Sequence, residues 1–390
     1  MLTTRPQSDL DLFTEDALLN PYENYRELRD MAAAVWMSKY EMYALARYKD
    51  VREALKDWET FSSARGVAMN DQMNEALRGI TLCTDTPEHD VLRGIVGRPL
   101  APAAIRELTE RIAAEADALV ERVASRGTFD AVAELAWYLP LTIVSNLVGL
   151  PDAGRNRMLD WAAATFNCIG PVNQRTLESF PVIEEMVTYA MTEGVPGKLK
   201  PGSWGAALFE AAERGEIPRE KCAGLLLDYL GPSLDTTIFA ISSAVMLFGE
   251  NPDQWTALRS APGFISRAVD EVLRTESPIQ CFTRYVTKDH DIEDVALPKG
   301  SRVIVLYGSA NRDERKWQDP ERFDIHRKAA DHLGFGVGPH SCLGMHLAKL
   351  EIQSVIAALA KRVERFELGD SKRVVNNALR GFQCLQVTVH

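Results

Sequence analysis

Apolar residues recur at three- and four-residue spacing through Ala103 to Ser125, Glu220 to Gly249 and His340 to Arg362, which lines them up along one side of a helix. Strand-like stretches are short and come late: Ser301 to Leu306 behind the Pro298-Lys299-Gly300 turn, and Leu385 to Val389. The pattern predicts a mainly helical body with a small β region. No Gly/Ser/Pro-rich linker divides two composition regimes and no fixed period repeats, so residues 1–390 read as a single domain.

One helical segment, KCAGLLLDYLGPSLDTTIFAISSAVMLFG, is apolar enough to cross the interior but is interrupted by Asp228, Gly231, Pro232, Ser233 and Asp235. Pro232 has no N–H to donate and its ring clashes with the preceding turn, so the Asp228 carbonyl should be freed and the helix bent, opening a groove. Asp228 lies seven residues before Asp235, about two turns earlier, so both should face that groove. An acid followed by an alcohol, Asp235-Thr236, suits proton transfer, with the carboxylate relaying protons from water and the hydroxyl holding a hydrogen bond. A lone Asp-Thr pair fits a helix cap or a buried polar pair equally well.

Composition narrows the classes. Hydrophobic residues are 46% and charged residues 25%, as in globular proteins, and the net charge of -11 argues against nucleic acid or an anionic membrane as partner, since both need a concentrated basic surface. The six cysteines are dispersed without a CxxC pair, so neither a disulfide framework nor a structural zinc site is indicated. The start, MLTTRPQSDLDLFTED, lacks the order of a secretory leader, and no uninterrupted apolar run reaches the roughly 20 residues of a membrane span; the expected location is cytoplasmic.

The most informative stretch is FGVGPHSCLGMHLAKLE. Glycines 336, 338 and 344 let a loop wrap a flat ligand, and Cys342, just before a helix N-terminus, is favoured as thiolate by the helix dipole and nearby N–H groups. Taken singly, Cys342 reads more readily as a buried cysteine in a glycine-rich turn. The whole stretch, however, resembles the cytochrome P450 family, whose loop FGxGxHxCxG is matched at every fixed position. The resemblance runs from NPYENYRELR through ANRDERKWQDPERF to the final strand and implies one mainly helical, roughly triangular domain with small sheets.

It further implies haem b with Cys342 as axial thiolate and metal ligand, His340 near a propionate and Phe335 packed near the sulfur. His89 and Arg93 in HDVLR, one turn apart, and Arg284 in SPIQCFTRY are similar to the family's propionate partners; otherwise they read as surface charge. Glu271 and Arg274 of EVLR are expected to form an internal ion pair extended by Arg322 or Arg327 of DPERFDIHR. Asp235 and Thr236 fall on the family's oxygen-activating acid and alcohol, but where the family carries Ala or Gly followed by Gly, this chain has Pro232-Ser233. A soluble bacterial-type member takes O2 and electrons from separate proteins, here expected to be a ferredoxin and its reductase, with Arg98 and Lys349 as docking contacts.

Three stretches, SARGVAMND, FNCIGPVNQ and SPIQCFTR, are similar to members that oxidise para-substituted benzoates and methoxyarenes. Carried over by position, they put Arg65, Phe166, Ile169, Ile279 and Phe282 around the substrate, with the two phenylalanines clamping a planar ring. Asp228 would repel a bound carboxylate, pair with Arg65 and cancel its charge, or turn away. The expected activity is hydroxylation or O-demethylation of a small aromatic compound, of methoxyarene or phenol type; the alternatives are a terpenoid or aliphatic substrate on the same fold, or a non-catalytic haem-thiolate sensor.

Overall fold

The computed structural model describes residues 5–390; the first four residues of the start inspected for a leader lie outside them. Helix Thr109–Ala124 buries Ile112, Ala116, Leu119 and Val123 along one stripe and lays it against Met345–Arg362. Asp235–Glu250 is apolar on all sides and accordingly buried on all sides, packed against Met345–Arg362, Ile265–Thr275 and the Ala131–Ala136 turn.

Three helical expectations need correction. The run beginning at Ala103 is broken at Leu108 into Pro102–Glu107 and Thr109–Ala124. The interrupted segment is more than bent: it falls into Cys222–Leu225, Leu227–Leu230 and Asp235–Glu250, with residues 231–234 outside any helix. The last helix starts at Met345 rather than His340, because Gly336 and Gly338, with φ of 64° and 81°, hold the preceding residues in a loop.

Strands are also earlier than expected. A six-stranded sheet runs in the order Gln7–Ser8, Val35–Met37, Met42–Leu45, Arg302–Leu306, Cys281–Val286, Phe61–Ser62, so four of its strands come from the first 62 residues. They are two to four residues long, too short to show a period of two, and are fixed by distant partners such as Tyr43 against Val303. The expected late strands appear as Arg302–Leu306 and Phe382–Val389, the latter between Phe366–Arg373 and Thr128–Asp130.

Ala131–Val148 and Arg219–Glu250 are long and apolar enough for a span by length and composition only once their short pieces are joined across Glu134, Asp228 and Asp235, so neither is an uninterrupted apolar run. Their most apolar windows are 50% and 83% buried by the rest of the chain, as in core helices.

Candidate active site

The cysteine loop is held by backbone hydrogen bonds. Cys342 N–H donates to the Phe335 carbonyl at 2.8 Å, Gly336 N–H to Leu333 at 2.8 Å and Ser341 N–H to Gly338 at 3.1 Å. At Gly338 a Cβ would stand 2.6 Å from the Leu55 carbonyl oxygen, so the close approach needs glycine as much as the positive φ does. Cys342 is exposed, but to a cavity of about 260 Å³ that it lines together with Phe335, His340, Gly344, Thr236 and Glu351. Burial raises the Cys342 thiol above its usual pKa, opposed by the Gly344 and Met345 N–H groups and by Arg93, so the helix terminus by itself does not deliver the expected thiolate. A bound metal ion would, since a coordinating thiol is deprotonated.

One edge of the space collects donors that lack acceptors. His89, in helix Glu88–Val96, and His340 have rings 4.3 Å apart, and the Nε2 of each is buried without a hydrogen-bond partner. Asp85 Oδ1 stands 3.8 Å from His340 Nε2, beyond hydrogen-bond reach. Arg93 donates only to Ser341 Oγ, at 3.3 Å. Arg284 is buried on strand Cys281–Val286, donates to the Thr283 carbonyl at 2.8 Å and lies behind the lining rather than on it. Among the described residues neither arginine has a carboxylate partner. Two histidines, Arg93 and a cysteine on the cavity lining, with Arg284 buried behind it, fit a metal macrocycle bearing two carboxylates.

Across the space, Thr236, in the first turn of Asp235–Glu250, lines the cavity and donates its hydroxyl hydrogen to the Pro232 carbonyl at 3.0 Å. Asp235 does not line the cavity as expected. The break at residues 231–234 turns its buried side chain away, where burial and the nearby charge of Asp160 raise its pKa to about 7.

Phe166, Ile169, Ile279 and Phe282 all line the space. Arg65 does not: it is exposed, with its guanidinium 4.7 Å from the Tyr285 ring centroid. It therefore cannot grip a substrate carboxylate or pair with Asp228, which instead faces the cavity and accepts the Thr81 N–H at 3.1 Å. Of the expected structural pairs, Glu271 meets Arg274 at 2.7 Å with both side chains fully buried, and Arg327 rather than Arg322 adds the second cation, at 3.0 Å. Arg98 and Lys349 are paired within the chain, to Glu216 at 2.8 Å and Asp270 at 2.7 Å.

Glu351 escaped the sequence reading. Its Oε1 is buried without a partner on the cavity lining, and burial pushes its pKa to about 8. The available signal was an acid four residues after Leu347 and four before Val355, on the apolar stripe of its helix.

A sequence profile of the family described as "Cytochrome P450" matches residues 247–386. Over nearly the whole length, the chain is 36% identical to "Cytochrome p450 CYP199A2" of Rhodopseudomonas palustris, covering 98% of this chain and 94% of the relative. The chain belongs to the cytochrome P450 family. This P450 is also 30% identical to linalool 8-monooxygenase of Pseudomonas putida, covering 97% of each chain. A solved structure of the cytochrome P450 CREJ in complex with (4-ethylphenyl) dihydrogen phosphate superposes with a TM-score of 0.85 at 27% identity, covering 96% of this chain and 98% of that one. This P450 is thus an enzyme, a haem b monooxygenase using O2 and electrons from redox partners; the reading as a non-catalytic sensor falls away.

Proposed function

We propose that this P450 hydroxylates or O-demethylates a small, neutral aromatic compound. The reading is carried by the cavity beyond Cys342, where Phe166, Ile169, Ile279 and Phe282 form an apolar lining beside Thr236. In this reading Cys342 ligates the iron, while His89, Arg93, His340 and Arg284 serve the propionates and Phe335 covers the ligand loop. When bound, the haem supplies the iron at which O2 is reduced and an oxygen atom transferred, with thiolate donation favouring O–O cleavage. Thr236 holds a hydrogen-bonding hydroxyl on the oxygen side, and Asp235, near neutrality in pKa, exchanges protons behind it. The two phenylalanines hold a planar ring and the apolar lining excludes water. Loss of a hydroxylated O-methyl group as formaldehyde completes a demethylation. Electrons come from a ferredoxin and its reductase, in the cytoplasm.

A neutral substrate follows from charge. With Arg65 outside, the lining beyond the propionate edge presents Asp228 and no cation among the described residues. Two like charges about 4 Å apart at an effective dielectric of about 20 repel by roughly 4 kcal/mol. Turnover of matched methoxyarenes, their para-carboxylates and a terpenol such as linalool, with O2, ferredoxin and reductase, tests the reading. Formaldehyde or a ring-hydroxylated product from the neutral arenes, with the carboxylates poorer, is expected. Products from the terpenol alone would replace the aromatic reading, in line with the linalool-oxidising relative.

A further inference from the structure

The apolar lining carries one polar spot away from the propionate edge and the oxygen side. Asp228, on Leu227–Leu230, and Thr81, in the short Thr81–Cys83 turn, both line the cavity, and the Asp228 Oδ2 accepts the Thr81 N–H at 3.1 Å. The Thr81 side chain belongs to a residue only 5% exposed, yet its Oγ1 has no hydrogen-bond partner. Around them stand Leu77, Ile80, Leu82 and Leu227. An unpaired buried hydroxyl beside a carboxyl on the cavity wall is costly unless something completes it.

We infer that Asp228 and Thr81 form a two-point anchor for a hydroxyl group on the substrate, which makes the preferred ligand class a phenol rather than a hydroxyl-free arene. The inference rests on the aromatic reading above and deepens it. Asp228 has no cationic partner among the described residues, so its remaining lone pairs are free to accept, and Thr81 Oγ1 is able to donate to the same phenolic oxygen. A phenol supplies one donor and one acceptor and adds no charge. Burial pushes the Asp228 carboxyl up to about 6, so at neutral pH it is chiefly an ionised acceptor. A carboxylate substrate brings an acceptor where a donor is needed.

The test uses the haem-loaded enzyme and equilibrium dissociation constants read from ligand-induced shifts of the haem spectrum. The probes are 4-methoxyphenol, its near-isostere 4-methoxytoluene, 4-methoxybenzoate and 4-methoxybenzylamine. Wild type is expected to bind the phenol roughly tenfold more tightly than the toluene, the range of a hydrogen bond to a charged group. Asp228→Leu should bring that ratio close to one, and Thr81→Val should reduce it, with toluene binding and haem content retained. Equal binding of phenol and toluene by wild type would overturn the anchor while leaving the aromatic reading intact. Tightest binding of the benzylamine would overturn it in favour of a cation site. No shift with any of the four arenes would overturn the aromatic reading itself.

Discussion

Asp235 and Thr236 adjoin in sequence but face different surroundings. Thr236 looks into the cavity, so Thr236→Ala should leave substrate affinity nearly unchanged while diverting reducing equivalents into hydrogen peroxide, lowering product per reductant on the order of tenfold. An unchanged product yield would remove Thr236 from the oxygen side. Asp235 is raised to about 7 by burial and by Asp160, so its folded-state pKa lies above the unfolded value. Its contribution to stability is therefore fully present below about pH 4 and is lost as pH rises through about 7, at about 1.4 kcal/mol for each pH unit between the two values. Asp235→Asn should accordingly raise the Tm relative to wild type by more at pH 8 than at pH 5; an equal difference at both pH values would contradict the buried placement. At this scale the sequence was legible where chemistry and local spacing coincide, as for Cys342 in its glycine loop and for His89 and Arg93 one turn apart. It was illegible where exposure depends on distant packing: Arg65 stacks on Tyr285, and the apolar stripe around Glu351 signals burial but not that it meets a cavity.

Two elements frame the site, the cysteine loop and the broken central helix. The loop depends on Gly338, where both backbone conformation and the Leu55 carbonyl exclude a side chain. Gly338→Ala should displace the loop and lower haem retention after gel filtration, with several kcal/mol lost because strain and a clash act together. Haem retention and Tm equal to wild type would show that the loop tolerates a Cβ there. Pro232 signalled an interruption correctly, but the break runs on through Leu234, farther than the lost hydrogen bond at Asp228 alone implies. Long amphipathic helices were readable because their period is internal. The short early strands were not, since pairs such as Tyr43 with Val303 exist only in three dimensions.

On the scale of the whole molecule, a net charge of -11 bears on the proposal that an acidic ferredoxin delivers the electrons. Lys349, on the helix that follows Cys342 and 5.7 Å from the Phe335 ring centroid, is the proposed docking cation, although Asp270 already neutralises part of its charge. Lys349→Glu should slow reduction by ferredoxin several-fold at low salt and less at high salt, because screening weakens steering between exposed charges. Reduction rates indifferent to both the substitution and ionic strength would exclude this face. The central claim, that Cys342 holds haem iron as a thiolate, is tested most directly by the Soret band of the reduced, carbon monoxide-bound protein. Wild type should show the red-shifted band of thiolate ligation and Cys342→Ser should lose it while other spectral features report any haem retained; a red-shifted band persisting in Cys342→Ser would contradict the assignment.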